Sequence, residues 1–200
     1  TYAQTAELTV TNKNNITIQG ATGDYNDTVI AGPGINGAMQ MNIRVNNSDY
    51  LTVKNLTLSD TYYNAIQINS GSDYFRADNL KTWDNGEGGF KVTSVNVDSG
   101  RPYADYGVIE NCLIGETTTA QRSVVEGIDI VAGRGWVIRG NTFENIYRAD
   151  GGPAYAAYAK GNAIGTIMEN NIVKNSSIGL SLGGGGTFVD VWRHGDTTYE

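Results

Sequence analysis

A phrase that recurs about every thirty residues restricts this chain to a repeat architecture. Each copy has an alternating apolar run, an asparagine and a second short apolar run, as in DYLTVKNLTL and WVIRGNTF. The asparagines of the clear copies are Asn55, Asn79, Asn111, Asn141 and Asn171, and a weaker first copy lies at 14–20. Repeats of this length are typical of solenoids, because each coil buries its apolar side chains against the neighbouring coils.

A second phrase lies between these copies and alternates apolar and polar residues with a period of two. Its copies read AMQMNIRV, AIQIN, GFKVT, GIDIV, AAYAK and GLSL. This period is typical of strands, and no stretch of ten residues has the apolar spacing of a helix. We therefore predict an all-β chain that forms one domain over residues 1–200. The predicted fold is a single-stranded, right-handed parallel β-helix, a solenoid of about six coils.

Alternation in the second phrase predicts which side chains face the core of such a solenoid. The predicted inward residues are Ile66, Ile68, Phe90, Val92, Ile128, Ile130, Leu180 and Leu182. The predicted outward residues are Gln67, Lys91, Asp129 and Ser181. The recurrent asparagines are expected at bends, since asparagine tolerates a left-handed backbone and its amide can bond the equivalent asparagine one coil away.

The repeated V-x-I-x-x-N and G-I-x-I phrases resemble those of the pectate-lyase-like superfamily of right-handed parallel β-helix proteins. The resemblance extends over about residues 14–186. It implies the fold, but that fold carries lyases, hydrolases, epimerases and non-catalytic proteins, so the activity has to be argued from the site.

Charge and composition exclude several classes of partner. The net charge of −7 argues against nucleic acid, whose binding needs a basic stripe. No run reaches the roughly 18 apolar residues that a membrane span needs. An acidic polysaccharide stays compatible with this charge, because a local basic groove can lie on an acidic protein. We therefore expect a polysaccharide partner and an extracellular or cell-surface location.

Neither terminal stretch contains an amphipathic helix of the kind that caps a solenoid. We therefore expect the chain to be part of a longer or open-ended solenoid, or to pack its ends on partner chains. End-to-end self-association is one form of this expectation.

Outward side chains of successive coils stack about 4.8 Å apart on one face of a β-solenoid. In the middle coils this stacking is expected to bring Lys91, Asp129 and Lys160 together. Long loops beside these coils supply arginines that can grip a carboxylate and tyrosines that can stack on a sugar ring. With Tyr158 on the strand itself, the predicted substrate-binding residues are Arg101, Tyr103, Arg122, Arg148, Tyr155 and Tyr158.

Cleavage of a uronate polysaccharide by β-elimination is the sharpest hypothesis for this face. The reaction needs a group that neutralises the uronate carboxylate, usually calcium or arginine, a base for the C5 proton, and a donor for the leaving oxygen. Lys160 is the candidate base, with Asp129 and Lys91 as further catalytic candidates. Asp129 would favour the ammonium form of Lys160, which opposes that role. No Asp-rich loop or Cys/His cluster is present, so no metal ligands are assigned, and Ca²⁺ is kept as a candidate cofactor.

The segment YAKGNAIGTIMENN resembles the base-bearing coil of the chondroitinase B and alginate-lyase family, which implies the role of base for Lys160. That family places glutamates before the lysine, where this chain has YAAYA, and an Arg-His-Gly after the next strand, where this chain has SLGGGG. Arg193, His194 and Gly195 follow about ten residues later. Only Lys160 therefore carries over.

Two alternatives to the lyase stay open. Glycoside hydrolysis, which is less favoured, needs a pair of carboxylates, and no spacing selects one. Its candidates are Glu87, Asp98, Glu126, Asp129 and Asp150. The other alternative is a non-catalytic glycan-binding, adhesive or structural solenoid that assembles through its ends.

Overall fold

A computed structural model describes residues 1–93, 103–117, 124–161 and 163–183 of this protein. Within these ranges the ordered elements are strands, and none is a helix of the length and apolarity that a membrane span needs. The strands are β1 (Tyr2–Ala3), β2 (Leu8–Thr11), β3 (Thr17–Gln19), β4 (Val29–Ala31), β5 (Ile43–Asn46), β6 (Thr52–Ser59), β7 (Asn64–Ile68), β8 (Arg76–Trp83), β9 (Gly88–Val92), β10 (Val108–Glu110), β11 (Leu113–Gly115), β12 (Glu126–Val131), β13 (Val137–Arg139), β14 (Thr142–Glu144), β15 (Tyr155–Lys160), β16 (Ile167–Glu169), β17 (Ile172–Lys174) and β18 (Ile178–Leu182).

The strands form two parallel sheets that the chain visits in turn. The first sheet has eleven strands and follows the order β1-β4-β6-β8-β10-β13-β16, with β3, β11, β14 and β17 alongside. The second sheet has seven strands in the order β18-β15-β12-β9-β7-β5-β2. Neighbouring strands of the second sheet are joined by a passage through the first sheet, and each such circuit is one coil. The predicted parallel β-helix is therefore confirmed, and the six passages between β2 and β18 match the expected coil number.

From β6 onward, the first sheet bends in each described coil at a residue with left-handed backbone. At Asn55, Asn79 and Asn111 the φ angles are 57°, 53° and 56°, and Asn79 Nδ2 donates to Asn55 Oδ1 at 2.9 Å. The predicted asparagine bend is confirmed in these three coils. In the next two coils the bend lies one residue earlier, at Gly140 and Asn170.

Asn141 and Asn171, which were predicted at the bend, instead form a ladder that points into the solenoid. Asn141 is fully buried, accepts a hydrogen bond from Cys112 N at 2.9 Å and donates to Ile109 O at 2.9 Å. It also donates to Asn171 Oδ1 at 3.1 Å. The prediction was wrong for this pair because Gly140 and Asn170, one residue earlier, adopt the left-handed conformation instead. The side-chain amides of Asn141 and Asn171 are then directed into the solenoid.

A ladder of tyrosines follows the turn from the second sheet to the first. Tyr50, Tyr74 and Tyr106 have φ angles of 56°, 59° and 59°, a conformation that bulky residues rarely adopt. The rings stack at 4.7 Å and 5.4 Å between centroids, which offsets part of the backbone cost. The corresponding positions of the next coils are Gly135 and Gly165.

The core lies between the two sheets and consists of the inward side chains of successive coils. Six of the eight predicted inward residues are fully buried, and they are Ile66, Ile68, Phe90, Val92, Ile128 and Ile130. Leu180 and Leu182 also lie on the inward side, in register with the buried Ala157 and Ala159, but they are 41% and 63% exposed. Both lie on β18, the edge strand of the described sheet, so no described coil packs on their outer side. The expected end-to-end association stays a prediction.

Replacing Asn141 with alanine is expected to lower the free energy of unfolding by on the order of 3 kcal/mol, because it leaves buried groups of Cys112 and Ile109 without partners. Chemical denaturation measures the loss. The control Asn46→Ala, at a half-buried rung that bonds Asn69 and Thr11 side chains, should cost less than about 1 kcal/mol. Equal losses in the two variants would contradict the assignment.

Candidate functional site

Parallel register aligns one outward side chain from each of six strands in the second sheet. These residues are Arg44, Gln67, Lys91, Asp129, Tyr158 and Ser181. They form a continuous polar row, and the predicted outward positions of Gln67, Lys91, Asp129 and Ser181 belong to it. Residues about thirty positions apart in the sequence therefore become neighbours, as the predicted stacking requires.

Asp129 is the centre of a charged cluster in the middle of this row. Its Oδ2 contacts Lys91 Nζ from the preceding coil and lies 3.1 Å from Lys160 Nζ of the following coil. Asp129 is fully buried and Lys160 is only 9% exposed, whereas the side chain of Lys91 is 26% exposed. The structure thus brings together the three residues predicted as catalytic, but only Lys91 is open to solvent.

Tyr158 completes the cluster and is coupled directly to Lys160. Lys160 Nζ donates to Tyr158 Oη at 2.6 Å, and the Tyr158 ring stacks on Tyr155 at 4.6 Å between centroids. Burial, followed by the negative charges of Asp129 and Glu126, raises the pKa of the Tyr158 phenol far above its ordinary value. Tyr158 therefore keeps its proton at every physiological pH and releases it less readily than an ordinary phenol does.

Two glutamates surround Lys91 and titrate at unusual pH. Burial raises the pKa of Glu126 to about 7, helped by Asp129 and Glu87 and opposed by Lys91, whose Nζ lies 3.5 Å from Glu126 Oε1. Burial also raises the pKa of Glu87. For Lys91, burial lowers the pKa of the ammonium group, but the charges of Asp129, Glu126 and Glu87 outweigh burial and raise it. Lys91 is therefore a permanent cation and not a base.

An open groove of about 320 Å³ begins at Lys91 and runs along the row toward the N-terminal coils. Its lining residues are Gln40, Met41, Arg44, Tyr63, Asn64, Gln67, Glu87 and Lys91. Lys91 belongs to both the groove and the cluster, so the groove gives solvent and ligands a route to the charged residues. Concave sites lined by a few convergent polar groups are the usual binding sites of small ligands.

A larger cavity of about 470 Å³ lies between β1, β3 and β4. Its lining residues are Tyr2, Ala3, Gln4, Gln19, Ala21, Thr28 and Ile30. They include no carboxylate, amine, guanidinium or imidazole, so this cavity offers only the phenol of Tyr2 for acid–base chemistry. The groove at Lys91 is the stronger candidate, although it is smaller.

The predicted substrate-binding residues are only partly gathered at the cluster. Tyr155 and Tyr158 lie in it, whereas Arg148 forms a two-pronged ion pair with Asp150 in the loop before β15. Tyr103 lies in the turn toward the first sheet, where its carbonyl accepts a hydrogen bond from Gly71 N at 2.7 Å. The remaining sequence predictions Arg101, Arg122, Asp98, Arg193 and His194 lie outside the described residues.

Sequence reasoning missed Arg44 because the alternating run AMQMNIRV does not reveal where its strand begins. In the structure β5 begins only at Ile43, after Gln40 and Asn42. Asn42 is fully buried at the turn, where its amide donates to Ser59 O at 3.2 Å. Arg44 faces outward instead, and the period-two alternation of this run was the sequence feature that could have predicted its direction.

A calcium site finds no support in the part of the chain that the structure describes. No group of three or more His, Cys, Asp or Glu side chains there has the arrangement of a metal site. The central carboxylate, Asp129, faces two ammonium groups, which is the opposite of what a cation requires. We therefore derive no step through a metal.

Comparison with known proteins identifies the fold. No protein-family model and no curated protein matches this chain. Among solved structures, an alginate lyase from Paenibacillus sp. str. FPU-7 superposes with a TM-score of 0.54 at 18% identity, over 85% of this chain and 60% of that one. The shared fold is the parallel β-helix. This chain therefore spans well under two thirds of the length of that lyase. A second match, the catalytic domain of a GH87 α-1,3-glucanase in complex with nigerose, has a TM-score of 0.26 at 14% identity, over 84% of this chain and 52% of that one.

The raised pKa of Glu126 predicts that the fold loses stability as the pH rises through neutrality. Between the ordinary value of 4.5 and about 7, the folded protein holds a proton that the unfolded chain has released. Stability is therefore greatest at the acidic end of this window and falls by on the order of 3 kcal/mol across it. Urea unfolding at pH 5 and pH 8 measures the change, which Glu126→Gln should largely remove.

Glu144→Gln is the matched control for this experiment, since Glu144 is a more exposed glutamate paired with Lys174 on the first sheet. It should leave the pH dependence as it is in the wild type. A Glu126→Gln variant with the wild-type pH dependence would show that this carboxyl titrates normally.

Proposed function

We propose that this protein binds a polysaccharide along the groove of the second sheet and cleaves it by β-elimination at a uronate unit. The observation that carries the proposal is the 2.6 Å hydrogen bond between Lys160 and Tyr158, where Tyr158 belongs to the polar row that leads into an open groove. An amine and a phenol in such contact can divide the two proton transfers of the reaction between them.

The two side chains have complementary roles in this mechanism. Lys160, as the free amine, takes the C5 proton of the uronate, while Tyr158 gives its proton to the glycosidic oxygen on C4. The C4–O bond breaks and a double bond forms between C4 and C5. The ammonium group of Lys160 then returns a proton to the tyrosinate through their hydrogen bond, which restores both groups.

Asp129 and Lys91 determine how easily this cycle begins. Lys160 Nζ lies 3.1 Å from Asp129 Oδ2, and this ion pair has to open before the amine can take the C5 proton. Lys91 is cationic and partly exposed at the mouth of the groove, where it can donate a hydrogen bond to the carboxylate of the reacting uronate while it stays paired with Asp129. If Lys91 neutralises the uronate carboxylate in this way, the reaction does not require calcium at that position.

Support for a polysaccharide comes from the chemistry of the groove and from the fold. Side-chain amides, a tyrosine and paired charges line it, which is the set of groups that binds hydroxyl-rich ligands. A solved protein with the same fold is an alginate lyase, which is consistent with the proposal. An extracellular or cell-surface location is part of the proposal, because such polymers lie outside the cell.

A second candidate is glycan binding without catalysis. The burial of Lys160, Asp129 and Tyr158 favours it, because a reacting sugar must touch the base and the acid. In this alternative the cluster stabilises the stacked coils, and the groove alone contacts the glycan.

Incubation with alginate, pectate and chondroitin, with and without calcium, distinguishes the two candidates. The unsaturated uronate product absorbs in the ultraviolet, so its formation is followed directly. Lys160→Ala is expected to reduce the rate by roughly a hundredfold to ten-thousandfold, the usual contribution of an acid–base group. Lys174→Ala removes an exposed lysine of the first sheet and should leave the rate unchanged.

Absence of the unsaturated product with all three polymers would count against elimination and favour the binding candidate. Elimination at the wild-type rate in Lys160→Ala would show that Lys160 is not the base.

A further inference from the structure

Asn64 lines the groove, and the NH₂ group of its buried side-chain amide donates no hydrogen bond. The residue is 2% exposed and lines the groove, yet its Nδ2 has no hydrogen-bond partner. A buried polar group without a partner destabilises the fold, so such a group calls for an explanation. A ligand oxygen in the groove, reached by a small rotation of the amide, would supply the missing acceptor.

Arg44 orients two further amides along the same groove. Its guanidinium donates to Gln40 Oε1 and to Gln67 Oε1, both at 3.1 Å. These bonds occupy the amide oxygens and leave the NH₂ groups of Gln40 and Gln67 as donors. One donor of Gln67 goes to Asn69 Oδ1 at 3.1 Å, and the amide carries a second.

The positive charges that line the groove are already matched by carboxylates. Glu7 accepts two hydrogen bonds from Arg44, at 2.8 Å and 3.2 Å, and Asp129 contacts Lys91. The stretch between Arg44 and Lys91 therefore presents amide donors rather than an excess cation. Tyr63 lines the same stretch and is held edge-on against Tyr62 at 4.5 Å between centroids, which fixes its ring beside the amides.

We infer that the groove between Arg44 and Lys91 is a saccharide subsite that recognises the hydroxyl groups of a sugar unit and not its carboxylate. The amides of Asn64 and Gln67 donate to sugar oxygens, and the ring of Tyr63 packs against the sugar. This inference rests on the polysaccharide-binding part of the proposed function and does not depend on elimination. It places substrate contacts along β9, β7 and β5, on the N-terminal side of the reacting groups on β15.

Calorimetric titration with two tetrasaccharides, cellotetraose and an alginate tetramer, tests the inference. The alginate titrations use Lys160→Ala as the background so that the ligand is not consumed. Gln67→Ala and Asn64→Leu are each expected to weaken the binding of both ligands by a similar factor, about five- to tenfold. Raising the salt concentration should change this factor little, since hydroxyl recognition is hardly screened.

Asn64→Leu also separates a binding role from a structural one. Leucine has a similar size and no unpartnered donor, so the variant should melt at the same temperature as the wild type or higher. Weaker binding with undiminished stability identifies an amide that is kept for a ligand. Gln67→Ala changes a half-exposed side chain and tests the subsite even if Asn64→Leu does not fold. Gln19→Ala, on the first sheet, is the matched control and should bind as the wild type does.

Three results would overturn the inference. The first is wild-type affinity for both ligands in Gln67→Ala and Asn64→Leu, and the second is a wild type that binds neither tetrasaccharide. The third is a loss confined to the alginate tetramer and abolished by salt, which would assign the groove to carboxylates. If the variants lose affinity while no polymer yields the unsaturated product, the subsite stands and elimination fails.

Discussion

Register between successive coils is the constraint on which every other feature depends. Each strand bonds the equivalent strand of the next coil in parallel, so a residue meets its counterpart about thirty positions later. Left-handed residues at the bends, such as Asn55 and Asn79, keep the corners of neighbouring coils aligned. A shift of one residue would turn Asp129 inward and break its contacts with Lys91 and Lys160 in a single step.

Much of the fold was predictable because the repeat and the alternation are local properties of the sequence. Ile66, Phe90 and Ile128 were assigned correctly to the core from period two alone. The exact position of each corner was not predictable, since asparagine and glycine are both compatible with a left-handed backbone. That ambiguity misplaced Asn141 by one residue.

The candidate site was predictable in its members but not in its electrostatics. Alternation and coil spacing sufficed to bring Lys91, Asp129 and Lys160 together. The sequence could not indicate how deeply these residues are buried, and burial is the main cause of the raised pKa values of Tyr158 and Glu126. The groove was missed for a related reason, because an unpartnered amide such as that of Asn64 is defined only by what surrounds it.

The row of outward residues in the second sheet has a consequence for how such a protein can diversify. Each coil contributes one side chain to the row, and neighbouring coils are joined in the same parallel register. Duplication of a coil between β5 and β9 would lengthen the row by one residue without disturbing the charged residues beyond it. The length of the row would then follow from a tandem duplication, and not from any redesign of the charged cluster.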